Sequence, residues 1–316
     1  MNDRSPPTAP VHGSGRKHAL VTLAFGDSYI REWDIYCRNN WLAYGKRHDC
    51  DVIVLTQPVL PEAISAERSV HWQKLLVPSL PALRAYESVA WVDADIVINA
   101  NHAPSIFAGR DPERIGVVKD MLPMLDGMTA GQRWTWLAMA AARLKDGDPL
   151  PSIDQHVNQP YHPYAADRLE PAPHNFVNTG VIVFSPKRHA DFFRRVFNKY
   201  PRNSLNGDFE QTPLSFETLQ SGMEEFIDSR FNTIWTLEAA RNYPFLFQAR
   251  YVNPTPEDRA DWINMTRNCV NAAFFNTFFL HFAGAPRSPW IKSAMYLVDT
   301  KVRHLVQTLY PTEQQP

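Results

Sequence analysis

The chain has 316 residues, 44% hydrophobic and 21% charged, a balance that excludes a disordered or fibrous protein and gives enough length for a substantial core. With 32 basic against 33 acidic residues the formal charge is -1, so bulk charge points away from nucleic acid and from anionic membranes as partners. The opening "MNDRSPPTAPVHGSGRKH" is polar and lacks an apolar h-region, so residues 1–16 read as a disordered leader and 17–310 as one domain. "HALVTLAF" (18–25) is an apolar, β-branched run ending at Gly26-Asp27-Ser28, which predicts a buried strand and then a helix start. A helix is expected from Tyr29 to His48, with Trp33, Tyr36, Cys37, Trp41 and Tyr44 recurring on one face. "DVIVLTQ" (51–57) predicts a second buried strand. "HWQKLLVPSLPALRAY" (71–86) reads as a helix bent or broken near Pro78 and Pro81. "VAWVDADIVI" (89–98) predicts a third strand.

This alternation of strand and helix predicts an α/β fold, with a central, mostly parallel sheet flanked by helices. Residues 100–173 are less regular, with one helix expected over 129–145. Within that segment Met121, Met124, Trp134, His156 and Tyr161 each suit a pocket or a core. "NFVNTGVIVFSP" (175–186) predicts a strand, "HADFFRRVFNKY" (189–200) an amphipathic helix, "DFEQTPLSFETLQ" (208–220) another helix, and "FFLHFAG" (278–284) a late apolar run. The three cysteines, Cys37, Cys50 and Cys269, lie far apart in no CxxC pattern, which argues against a disulfide framework and fits a cytoplasmic location, peripheral at a membrane at most. No apolar run reaches the ~18–20 residues needed to span a bilayer.

Ligands of such sheets bind beyond the carboxyl ends of the strands. Asp93 and Asp95 fall at or just past the end of "VAWV". Two carboxylates there suit a hard divalent cation, which commonly holds a diphosphate. His281, inside "FFLHFAG", is either a satisfied core histidine or a third ligand, since an imidazole beside two carboxylates suits Mn²⁺. Asn178-Thr179-Gly180 reads as a turn or as part of a site. Glu210 and Gln211 open a helix, where the dipole alone favours an acid.

In their order and spacing, "ALVTLAFGDSY", "WQKLL", "VAWVDADIVI", "NFVNTGVIVFS", "DFEQTPL" and "HFAGAPRSPW" resemble the metal-dependent glycosyltransferases of the GT-A fold, over residues 19–290. The nearest are the retaining families 8 and 34, which include glycogenin-like enzymes and galactosyl, mannosyl and xylosyl transferases. The resemblance implies a Rossmann-like GT-A domain and transfer of a sugar, with retention, from a nucleoside diphosphate donor to a saccharide, glycan or other hydroxyl acceptor. UDP-hexose or UDP-xylose is the implied donor and Mn²⁺ or Mg²⁺ the cofactor. It places Thr22, Ala24 and Tyr29 at the nucleotide base and Lys74 at the donor sugar or phosphate. Asp93, Asp95 and His281 become metal ligands, and Gly284 and Arg287 border the diphosphate. Asn178, Glu210 and Gln211 line the reaction centre. Two departures stand out: "HFAGAPRSPW" has Arg287 in place of a lysine and an extra Ser288, and Glu210-Gln211 stands where Asp-Gln is common, leaving open whether Asp208 or Glu210 faces the site.

Three other readings compete. A haloacid-dehalogenase-type phosphohydrolase would use Asp93 as nucleophile, but its motif belongs on the first strand, and "GDFEQT" has Thr212 where a second acid is wanted. A sugar nucleotidyltransferase needs a Gly-rich basic loop after the first strand, whereas "GSGRK" (13–17) precedes it. A non-catalytic lectin or scaffold would have no use for the acid pair and the later histidine.

Overall fold

The computed structural model describes residues 15–120, 163–205, 207–247 and 255–283. The helix expected over 129–145, the candidate pocket residues Met121 to Tyr161, and Gly284, Arg287 and Ser288 lie outside the described residues.

Strands β1 (His18–Leu23), β2 (Cys50–Leu55), β3 (Ser88–Val92), β5 (Ile115–Lys119), β6 (Val177–Phe184) and β7 (Glu224–Phe226) form one sheet in the order β2-β1-β3-β6-β5-β7. Three of its five pairings are parallel: β1 with β2, β1 with β3, and β5 with β7. β6 is antiparallel to both of its neighbours. β5 therefore runs the same way as β3, and the start of β6 lies at the edge where β3 and β5 end. A second sheet, β4-β9-β8, is made of β4 (Ile96–Ile98), β8 (Thr233–Ile234) and β9 (Phe279–His281).

The apolar runs are continuous because both faces of the large sheet are covered. Leu20, Ala90, Val92, Val181 and Val183 point into one core, which also holds Trp33, Cys37, Trp41 and Phe274. Their neighbours Ala19, Val21, Val89, Trp91, Ile182 and Phe184 point into a second core with Trp72, Phe193 and Phe197. Alternation by two along each strand splits the same run between the two cores.

The first helix begins at Asp27 rather than Tyr29. It runs as α1 (Asp27–Glu32), a π turn (Trp33–Cys37) and α2 (Arg38–Arg47). Trp33, Cys37, Trp41 and Tyr44 are buried as expected, and Tyr36 is half-buried. Residues 70–85 are not one bent α-helix but three 3₁₀ turns, Val70–Leu75, Val77–Ser79 and Pro81–Ala85. Pro78 and Pro81 each sit in the opening positions of a new turn, where a missing N–H costs nothing. α3 (Pro186–Lys199) buries Phe192, Phe193, Val196 and Phe197 on one stripe. α4 (Gln211–Ser221) follows Glu210 and stops at Gly222, which takes φ 65°. α5 (Trp235–Asn242) and α6 (Pro256–Asn276) complete the described helices, the latter opened by a reciprocal cap between Thr255 and Asp258.

"VAWVDADIVI" is two strands, not one. β3 ends at Val92 in the large sheet and β4 begins at Ile96 in the small one. Asp93-Ala94-Asp95 forms the turn between them, closed by Ile96 N–H donating to Asp93 O at 3.2 Å.

Candidate functional site

The turn carrying the two acids is held from three sides. Asp93 N–H donates to Gly180 O of β6 (2.8 Å), and Phe282 N–H donates to Asp95 O (3.1 Å). From the first helix, the Cys37 thiol donates to Ala94 O (3.4 Å), Trp41 Nε1 to Ile96 O (2.8 Å), and Ile98 N–H to Asn40 Oδ1 (2.9 Å). Burial, then the Asp95 and Glu32 carboxylates, push the Cys37 thiol well above its ordinary pKa, so it stays protonated and able to donate.

His281 reaches the turn through the small sheet. β4 and β9 pair antiparallel with Ile96 opposite His281, which sets the imidazole beside the residues preceding Ile96. His281 Nε2 lies 3.2 Å from Asp95 Oδ1 and 3.9 Å from Asp93 Oδ2. One ligand atom from each of the three residues lies within 4.8 Å of the others. Ligands of one cation, with bonds of about 2.1 Å, stand about 3–4 Å apart, so the three residues are near enough that they could hold a single divalent ion. One imidazole and two carboxylates form a mixed nitrogen–oxygen set of the kind Mn²⁺ accepts. Burial alone would lower the His281 pKa, but Asp95 and then Asp93 more than offset it, and the pKa stands above the ordinary histidine value.

Beside this group, Lys74 is almost wholly buried, with Nζ 2.8 Å from Glu210 Oε1, 3.2 Å from Asp93 Oδ1 and donating to Thr179 O at 3.1 Å. Burial disfavours the ammonium, yet Asp93 and Glu210 hold its pKa above the ordinary lysine value, so it is charged. Trp91 Nε1 donates to Asp93 Oδ1 (2.7 Å), and Thr179 Oγ1 donates to Glu210 Oε1 (2.9 Å). Glu210, at 2% exposure, is thus the acid bound to Lys74; Asp208 is half-exposed on the same cavity. Gln211 accepts from Thr179 N–H (3.1 Å).

All of these groups face one cavity of about 480 Å³, lined also by Leu23, Phe25, Tyr29, Val70, His71 and Phe209. Among the expected site residues, Tyr29, Lys74, Asp93, Asp95, Asn178, Glu210, Gln211 and His281 line it together. Thr22 and Ala24 do not line it. Both are wholly buried, because alternation turns 22 and 24 inward while Leu23 and Phe25 face the cavity.

Two polar residues bonded to the site from behind its lining, Asp120 and Asn232, have no counterpart in the sequence reading. Asp120 closes β5 at the same edge as Asp93 and accepts from Asn178 Nδ2 (2.9 Å). Asn232, just before β8, contacts both Asn178 and His281. Asp120 carried a weaker signal, an acid one residue past the apolar run "IGVV", where Asp93 follows its run directly. Asn232 carried none.

No protein-family model matches the sequence. No curated protein matches it either. Solved structures that the chain is similar to include a glycosyltransferase involved in the glycosylation of the major capsid of PBCV-1, at 12% identity over 89% of this chain and 99% of that chain, TM-score 0.48. They also include the galactosyltransferase LgtC in complex with donor and acceptor sugar analogs, at 12% identity over 88% of this chain and 94% of that one, TM-score 0.42. A third is mouse xyloside xylosyltransferase 1, at 13% identity over 86% of this chain and 99% of that one, TM-score 0.39.

Proposed function

We propose that residues 17–310 form a divalent-metal-dependent glycosyltransferase of the GT-A kind, moving a sugar from a nucleoside diphosphate donor to an acceptor hydroxyl. The observation that carries this reading is the convergence of Asp93, Asp95 and His281, from positions up to 188 residues apart (281 minus 93), at the carboxyl edge of β3 beside the Lys74–Glu210 pair. Asp93, Asp95 and His281 would hold Mn²⁺ or Mg²⁺, which when bound supplies Lewis-acid stabilisation of charge on a departing diphosphate. Lys74 adds a fixed positive charge within the same cavity, already oriented by three partners, so no reorganisation accompanies the reaction. Glu210, held by Lys74 and Thr179, presents a fixed carboxylate toward a sugar whose anomeric carbon gains positive charge. Tyr29 and Phe25, both exposed at the rim, offer flat faces to a nucleotide base. UDP with a hexose or xylose, and retention of configuration, rest on the sequence resemblance, which also assigns Gly284 and Arg287 to the diphosphate.

Among the described residues no helix is long and apolar enough to cross a membrane. The three cysteines are free and buried, which supports a cytoplasmic enzyme. The test is thermal stabilisation by UDP and Mn²⁺ together, beyond either alone, followed by a screen of nucleotide-sugar hydrolysis across donors. Asp95→Ala is expected to abolish both responses. Full turnover by that variant in Mn²⁺ would show the site to be wrongly assigned.

A further inference from the structure

A line of hydrogen bonds runs from Asp120 to the imidazole of His281. Asn178 Nδ2 donates to Asp120 Oδ2 (2.9 Å), and Asn232 Nδ2 donates to Asn178 Oδ1 (2.6 Å). Asn232 Oδ1 then faces His281 Nδ1 at 2.7 Å. The direction of these bonds is forced by the backbone. Gly180 N–H can only donate and meets Asn178 Oδ1 at 2.9 Å, so Asn178 turns its carbonyl toward Gly180 and Asn232 and its NH₂ toward Asp120. Asn232 must then show its NH₂ to Asn178 and its carbonyl to His281. A carbonyl opposite Nδ1 requires a proton on Nδ1, which leaves Nε2, on the side of Asp93 and Asp95, as the nitrogen free to bind a cation. Asn178, Asn232 and His281 are all buried, so water does not readily take over these bonds.

We propose that Asn232 is a positioning residue for the cation site: its carbonyl holds the His281 ring with Nδ1–H engaged, so that Nε2 is presented to a metal shared with Asp93 and Asp95. This rests on the metal reading proposed above. Residues that orient a ligating histidine in this way typically change metal affinity by about 10–100-fold when removed.

Metal binding itself, rather than turnover, tests the proposal. Mn²⁺ affinity of the full chain is read from the free-ion EPR signal for the wild type, Asn232→Ala and Asn232→Asp. Asn232→Ala is expected to bind about 10–100-fold more weakly. Asn232→Asp keeps an oxygen acceptor at Nδ1–H while losing the bond to Asn178, and is expected to bind at least as tightly as the wild type. In ¹⁵N NMR of the Zn²⁺-loaded protein, a slowly exchanging His281 Nδ1–H signal is expected in the wild type and Asn232→Asp, and lost in Asn232→Ala. Retention of affinity within about twofold in Asn232→Ala overturns the proposal. So does an equal loss in both variants, which would make Asn232 a strut for Asn178. Absence of the Nδ1–H signal in the loaded wild type also overturns it, and decides the matter even if Asn232→Ala does not fold. A wild type that binds no Mn²⁺ overturns the metal reading as well, whereas normal wild-type binding with an indifferent Asn232→Ala sinks the Asn232 assignment alone.

Discussion

Gly180→Ala asks most directly whether packing sets the cation site. An alanine Cβ at 180 would lie 2.5 Å from His281 Cε1, 2.8 Å from His281 Nδ1 and 3.0 Å from Asn178 Oδ1. Ordinary carbon contacts are about 3.5–4.0 Å, so the imidazole must retreat by about 1 Å. The backbone cannot give way cheaply, because Gly180 O accepts from Asp93 N–H and all eight residues of β6 are buried. Gly180 has no positive φ, so alanine is otherwise acceptable there and the contact is isolated. Ligand positions matter to about 0.2 Å, so a shift of this size removes His281 from a shared cation, with at least about a tenfold loss of Mn²⁺ affinity. Overpacking adds about 1–3 kcal/mol of destabilisation. Isothermal titration with Mn²⁺, beside urea unfolding in EDTA, separates the two effects. Gly116→Ala is the control: its Cβ would press Val183 at 3.0 Å and Ile227 at 3.3 Å, away from the cavity. It should lower stability and leave Mn²⁺ binding intact. The reasoning fails if Gly180→Ala binds Mn²⁺ like the wild type, or if Gly116→Ala loses binding to the same extent.

Lys74→Met strands the buried Glu210 carboxylate without its cation, and breaking such a pair from one side costs about 3–5 kcal/mol, read as a lowered urea midpoint in metal-free buffer. A loss under about 1 kcal/mol would mean that water or another donor takes over at Glu210. His189 tests pH dependence away from the site. Its Nδ1 accepts from Ser185 N–H (3.0 Å), and burial, against the opposing pull of the Glu113 carbonyl, holds its pKa below 6.5. The unfolded chain therefore binds the proton first, so the neutral ring's contribution is full above pH 6.5 and is lost as pH falls through the lower folded value. His189→Gln should flatten the acid limb of a stability–pH curve measured by thermal unfolding, and matching slopes for the two proteins would contradict the assignment.

Much of this was legible in the sequence where an apolar run stops. The runs "HALVTLAF", "DVIVLTQ" and "VAWV" each hold a strand, and the acids after the last of them lie at the carboxyl edge, as expected. The antiparallel course of β6 was not legible, since its eight buried residues look the same in either direction. Direction nevertheless decides the site, because it delivers the polar start of β6, Asn178-Thr179-Gly180, to the edge where β3 and β5 end. The break of "VAWVDADIVI" between two sheets was hidden for a related reason: Ile96, Val97 and Ile98 fit a continued strand as well as a new one. α6 left a signal that went unread in Thr255-Pro256-Glu257-Asp258, a capping residue, a first-turn proline and acids at the dipole's positive end. Asn232 could not be found locally, because its meaning comes only from the pairing of β8 with β9.

The Asp93–Asp95–His281 group lies on the seam between the two sheets, and this ties the fold to the proposed chemistry. Asp93 follows a strand of the large sheet; Asp95 precedes, and His281 ends, strands of the small one. Gly180, from the large sheet, lies against the imidazole, and Asn178 reaches it through Asn232. A shared ion would therefore join the sheets as well as the ligands, and binding to the folded state alone raises stability by RT ln(1 + [L]/Kd). The stabilisation by Mn²⁺ should accordingly vanish in Asp95→Ala and shrink in Gly180→Ala, while Lys74→Met, which removes no ligand, keeps it even as its metal-free stability falls. Those three responses together are what a site built from both sheets, with Lys74 outside the ligand set, predicts.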